Sequence, residues 1–181
     1  IHSAPVWVKV FYLDPEIFHT APMSFLSTDV PENDHISKTI CHRLYDANES
    51  TKIAQYILLG KGGAKLLDVM NFERDVYHLN EAHGLPAAFY LLKKFGGDLA
   101  KVKEKLVFTT HTPEEAGNEK HNIFMCHDMS YFSGLTIDEV KTIEGIQDDR
   151  FNHSLCALRM ARIANGVSQL HGVISREMWS K

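Results

Sequence analysis

The chain has 181 residues, enough for one domain with a sizeable buried core. Its 44% hydrophobic and 23% charged residues are globular values. A net charge of −4 argues against a nucleic-acid surface, and no window approaches the ~20 apolar residues of a membrane-spanning helix.

The chain opens on Ile1 rather than Met and reads as an excised piece of something longer. Residues 6–12 alternate like a strand that ends at Asp14-Pro15, and residues 23–27 form a second short strand. Residues 34–48 are polar loop with a helical turn. Ser50 is placed to cap a helix whose apolar positions include Ile53, Tyr56, Ile57, Gly60 and Ala64. Gly60, Gly62 and Gly63 in that helix admit two readings, a phosphate cradle or close helix packing. No Gly-Lys-Ser/Thr follows and the run lies mid-helix, so packing is favoured.

A strand at 76–79 is followed by a helix at 85–95, a stop at Gly96-Gly97, a short helix at 98–104 and a strand at 106–110. That order is a βαβ unit and implies parallel strands. Residues 113–134 lack a period and read as a long loop with some helix. Thr136 caps a helix at 137–144, with Glu139 completing a capping box. Asn152 or Ser154 opens a helix to Ala164, residues 166–170 form a last strand, and 173–179 a last helix. The expected fold class is α/β, a three-layer Rossmann-like domain. Its mostly parallel sheet draws on strands near 6–12, 76–79, 106–110 and 167–170, with helices on both faces.

Cys41, Cys126 and Cys156 form no CxxC pair and suit a reducing, cytoplasmic compartment. Cys126 and His127 with His121 nearby fit no standard zinc spacing, so no metal is expected. The chemistry is instead expected where two β-rich runs stop at polar residues. One ends in Asn80-Glu81-Ala82-His83, the other in His111-Thr112-Pro113. Ligands of open α/β sheets bind at the carboxyl ends of strands, so these two ends suggest one site built from two loops. A nucleotide-binding domain is disfavoured, since no Gly-x-Gly-x-x-Gly follows a strand.

Six segments then carry a resemblance in register: 29–33, Arg43-Leu44-Tyr45, 53–60, His78 to His83, Phe108 to Gly117, and 151–171. Together they resemble the α-glucan (glycogen, starch, maltodextrin) phosphorylases, best the short bacterial and archaeal branch, over nearly the whole chain. The resemblance implies a partial N-terminal Rossmann-like domain spanning residues 1–181. The C-terminal domain would be absent, and with it the lysine for pyridoxal phosphate and the basic residues for the reacting phosphate. It implies a glycosyltransferase that releases glucose 1-phosphate from α-1,4-glucans using phosphate. The piece itself would be inactive, with no cofactor bound. Its partners would be glucan and phosphate, with neither nucleic acid nor membrane, and a homo-oligomer would form through the uncovered domain interface near the strand ends and Trp179. The alternative is a non-catalytic carbohydrate-binding or assembly α/β module.

Residue by residue, the resemblance places His111 against the glucose beside the scissile bond, as the catalytic candidate. The other reading of His111 is a side chain that fixes its own turn. Asn80, Glu81 and His83 match the family's substrate-binding strand end. A glycosidase needs two carboxylates and this strand end has one, so Glu81 is expected to orient His83 or water rather than protonate a sugar. Ala82, Gly84 and Asn118 depart from the commonest family versions, and Asp46 to Asn48 match the family's mobile gate poorly.

Overall fold

The computed structural model describes residues 1–2, 4–44, 46–111 and 118–180. It opens on an antiparallel hairpin of β1 (Lys9–Leu13) and β2 (Met23–Ser27), with Phe11 opposite Phe25. The connection holds the short helix α1 (Pro15–Phe18), which starts where the Asp14 carboxylate accepts from Glu16 N at 2.8 Å. This first strand is expected in the parallel sheet, but among the described residues it pairs with β2 alone. Alternation identifies a strand without naming its partner, and a turn of this length closes a local antiparallel pair.

Helix α2 (His35–Lys38) leads to α3 (Glu49–Ile57). The cap of α3 is Asn48, two residues before the expected Ser50, and its Oδ1 accepts from Thr51 N at 3.1 Å. The helix continues through a π turn at Leu58–Gly62 into α4 (Gly63–Val69). Of the three glycines there, Gly60 serves close packing, while a Cβ on Gly63 would meet nothing within 4 Å. A Cβ on Gly60 would lie 2.6 Å from the Gly84 carbonyl oxygen and 2.8 Å from Ala87 N, so only glycine admits this approach.

Strand β3 (Tyr77–Asn80) is followed by a 3-10 turn at Ala82–Gly84, α5 (Pro86–Lys94), α6 (Leu99–Lys105) and β4 (Leu106–Thr110). Gly96 and Gly97 have φ of 65° and 88°, the left-handed region expected of a helix stop. Then come β5 (Lys120–Asn122), α7 (Ile123–Asp128), α8 (Ile137–Glu144), β6 (Arg150–Asn152), α9 (His153–Met160), β7 (Ile163–Gly166) and α10 (Gln169–Met178). The segment expected as a long loop thus contains β5, α7 and a buried turn, and residues 113–117 of it lie outside the described residues.

The sheet is parallel in the order β3-β4-β7, with Leu79 beside Phe108 and Thr110 beside Gly166. This is the α/β architecture the βαβ spacing implied. The last strand lies earlier than expected, at 163–166 rather than 166–170, and α9 stops at Met160 instead of Ala164. Ala161 is extended and Arg162 N donates to Leu106 O at 2.9 Å, so pairing with β4 draws the chain out of the helix. Ser168 Oγ then accepts from His171 N at 3.1 Å and starts α10.

Leu79, Leu106 and Phe108 point into the core with Leu85, Phe89 and Val102. Beside them Phe89, Tyr131, Phe132 and Phe151 form an aromatic knot, with centroids 5.0 Å apart for Phe132–Phe151 and 5.1 Å for Phe89–Phe132, both edge-on. The exposed large apolar residues gather on the β1–β2 hairpin, where Trp7, Phe11, Phe18 and Phe25 are all more than half-exposed or at half. Leu170 and Val173 of α10 are also exposed, whereas Trp179 is half-buried.

Glu144 ends α8 in the interior, 1% exposed. Its Oε1 accepts from Asn152 N at 2.8 Å, while Oε2 finds no partner. Burial pushes its carboxyl up to about 7. A raised folded-state value means the stability is fully present below the unfolded value near 4.5 and is lost as pH rises through about 7. Glu144→Gln should therefore stabilise the fold at pH 8 by roughly 2 kcal/mol, with the difference vanishing below pH ~4.5. Urea unfolding of both proteins across that range checks this, and a pH-independent difference would refute it.

Candidate functional site at the strand ends

Parallel pairing sets Asn80 beside Thr109, so the residues after β3 and β4 leave the sheet at the same end. His111 follows β4 directly and is tied to β3 twice. Its backbone N–H donates to the Glu81 carboxylate through Oε1, and its Nε2 pairs with Asn80 Oδ1. An amide oxygen only accepts, so Nε2 is the donor in this bond. The imidazole is exposed at the rim of the sheet. Below it a polar row crosses the three strands: His78 Nε2 meets Thr109 Oγ1 at 2.7 Å, and Thr109 Oγ1 donates to Asn165 Oδ1 at 2.9 Å.

Glu81 carries backbone strain. Its φ of 65° with ψ of 170° is a region that suits glycine and costs a side-chain-bearing residue about 1–3 kcal/mol. It is held there by Glu81 N donating to Thr109 O at 2.9 Å and by the bond its carboxylate accepts from His111. Three of the expected site residues, Asn80, Glu81 and His111, thus form one hydrogen-bonded bracket. Glu81 braces the His111 backbone, a role the sequence did not indicate.

His83 is not a member of this bracket. It lies in the 3-10 turn, and its ring stacks on Tyr56 of α3 with centroids 4.9 Å apart and planes at 31°. Tyr56 donates its hydroxyl to Glu119, whose other oxygen binds Lys52 Nζ at 3.0 Å. Burial, then the bond to Glu119, pushes the Tyr56 phenol up. Burial opposes the charge of Glu119, but the bonds from Tyr56 and Lys52 outweigh it and hold the carboxyl below its ordinary range. Beneath them lies a buried chain: Tyr131 hydroxyl to His153 Nδ1 at 2.8 Å, and His153 Nε2 to His121 Nδ1 at 2.7 Å. Burial lowers the pKa of both rings, so they are neutral at pH 7 and still use these nitrogens fully.

Sequence reasoning missed this second layer. Lys52 and Tyr56 are four apart on one helix, a legible spacing. Their partner Glu119 is 63 residues beyond Tyr56, and only the fold brings it there. His121, weighed as a metal ligand beside Cys126 and His127, faces His153 instead. Among the described residues no cluster of three or more His, Cys, Asp or Glu could hold a metal ion.

The strand-end donor set is not one that suits pyridoxal phosphate. The bracket consists of an amide, an imidazole and a carboxylate, and the lysine of the second layer is bound by Glu119. These residues offer neither a free amine for the aldehyde nor a basic cradle for its phosphate, so they do not fit that cofactor.

Comparing two substitutions isolates the strain at Glu81. Glu81→Ala and Glu81→Gly both lose the bracket, but only glycine relieves the positive φ. Glu81→Gly should therefore be more stable than Glu81→Ala by about 1–2 kcal/mol in urea unfolding. Equal midpoints would show that Glu81 is not strained.

No family model matches the chain. Among proteins similar to it, an uncharacterised protein of Methanocaldococcus jannaschii is 42% identical over 180 residues, which is 99% of this chain and 34% of that protein. The maltodextrin phosphorylase of Thermococcus litoralis is 37% identical over 163 residues, covering 85% of this chain and 20% of the enzyme. The glycogen phosphorylase of Aquifex aeolicus is 30% identical over 169 residues, covering 86% and 24%. The chain therefore spans about a third of the first relative and between a fifth and a quarter of the other two. Over most of its own length the chain is homologous to the glycogen and maltodextrin phosphorylases.

Proposed function

We propose that this chain is the portion of an α-glucan phosphorylase that holds the reacting glucose. The whole enzyme transfers a terminal α-1,4-linked glucose to phosphate and releases glucose 1-phosphate. The observation that carries this reading is the bracket that fixes His111 at the carboxyl end of β4. A histidine held at both its backbone and its ring is preorganised for one ligand pose.

In this reading the His111 imidazole bonds a sugar hydroxyl. Its backbone carbonyl lies near the positive charge that builds on the sugar in an oxocarbenium-like state, and Asn80 and His83 complete the contacts. Among the described residues, Glu81 is committed to His111 and Glu119 to Tyr56 and Lys52. Neither of these two is placed as the protonated acid of a glycosidase. Pyridoxal phosphate and the phosphate site belong outside these 181 residues. Three free cysteines suit a cytoplasmic setting.

By itself the chain should bind maltoheptaose weakly and form no glucose 1-phosphate. Turnover by the pure chain would overturn the assignment of roles. In the whole enzyme, His111→Ala should lower kcat by a hundredfold or more and change KM for long glucans much less. Long glucans gain affinity from other subsites, whereas a bond that matters at the transition state is worth on the order of 2–4 kcal/mol. Normal kcat with a raised KM would reduce His111 to simple positioning.

The same reading includes a homo-oligomer through the uncovered domain interface near the strand ends and Trp179, and the exposed Phe11 and Phe25 of the β1–β2 hairpin add apolar surface to which it could extend. Sedimentation equilibrium at micromolar concentration should show self-association that Phe11→Lys weakens, and a monomer throughout would remove this element.

A further inference from the structure

We propose that Tyr56, anchored by Glu119 and Lys52, is a positioning residue that fixes His83 against the saccharide. The proposal rests on the sugar-site reading of the strand ends. Its observations are separate, because none of these three residues belongs to the His111 bracket.

His83 sits in a turn with little freedom. The turn follows the strained Glu81, and its far end is pressed against α3 and its π turn, where a single Cβ on Gly60 would meet the Gly84 carbonyl at 2.6 Å. The backbone of the turn is therefore fixed along the helix. What remains free is the His83 side chain, and its ring lies on the face of Tyr56.

The Tyr56 ring is itself held at its hydroxyl and at its edges. The hydroxyl donates to Glu119, and Lys52, one helical turn earlier, reaches the same carboxylate at 3.0 Å. His153 packs edge-on at 5.8 Å and His121 lies 6.2 Å away. Glu119 is in turn tied to α9 by its backbone oxygen, which accepts from His153 N at 3.4 Å. The result is a buried, anchored aromatic shelf that carries the His83 imidazole on one side. A prestacked imidazole has already lost the rotamer freedom that bonding a sugar hydroxyl would otherwise remove.

The test uses the 181-residue chain with labelled histidines, maltoheptaose as the probe, and three variants. Tyr56→Phe keeps the ring and removes its anchor. Tyr56→Leu removes the shelf. Tyr131→Phe deletes a more deeply buried hydroxyl bond to His153 and serves as the structural control. The His83 ring resonance should shift and broaden in Tyr56→Phe, lose its ring-current shift in Tyr56→Leu, and stay in place in Tyr131→Phe. Maltoheptaose affinity should fall about three- to tenfold in Tyr56→Phe, the equivalent of one side chain left to be immobilised. With wild-type binding intact, an unmoved His83 resonance in both Tyr56 variants overturns the positioning role alone. No maltoheptaose binding by the wild-type chain overturns the sugar-site reading on which the proposal stands.

Discussion

Parallel pairing of β3 with β4 is the constraint on which the candidate site depends. Leu79 and Phe108 are side by side in the core, so Asn80 and Thr109 are side by side at the rim. A one-residue slip would send Leu79 out of the core and Asn80 into it. Burial of two apolar side chains thus holds three polar ones in register. The bracket around His111 follows, because Asn80 and Glu81 can reach it only from the neighbouring strand.

The rim needs support because it contains strain. Glu81 adopts a backbone conformation that few residues with a side chain adopt, and hydrogen bonds from two directions hold it there. Stiffness around the turn comes from packing that leaves no slack. Gly60 brings the backbone of α3's extension against the turn, and the aromatic knot of Phe89, Tyr131, Phe132 and Phe151 fills the space behind. Interiors packed at such density transmit position well. That is why residues remote from the rim can set its geometry.

The second layer shows how polar groups are kept in such an interior. His153 is almost wholly buried, and it remains neutral with Tyr131 and His121 satisfying its two nitrogens. Glu119 remains charged because Lys52 and Tyr56 both reach it. Glu144 is the exception, with one oxygen satisfied and the other bare, and its proton affinity rises accordingly. The three cases follow one rule: a buried polar group is tolerated to the extent that its partners replace water.

Local chemistry was legible in the sequence by itself. The Thr136–Glu139 capping box, the Gly96-Gly97 stop and the bounds of β4 all follow from neighbours within a few residues, and the structure keeps them. The βαβ spacing also sufficed for parallel strands, because a crossover of that length closes in one way. The two strand ends could be named as a candidate site, since the carboxyl ends of adjacent parallel strands meet. Tertiary structure alone decided what pairs across distance. It gave β1 to β2 rather than to the sheet, drew Ile163 and Ala164 out of a helical pattern onto β4, and brought Glu119 to Tyr56. Short apolar segments carry nearly equal local preference for strand and helix, and a carboxylate carries no mark of its partner. Those choices are settled by the free energy of burial and hydrogen bonding in the assembled core.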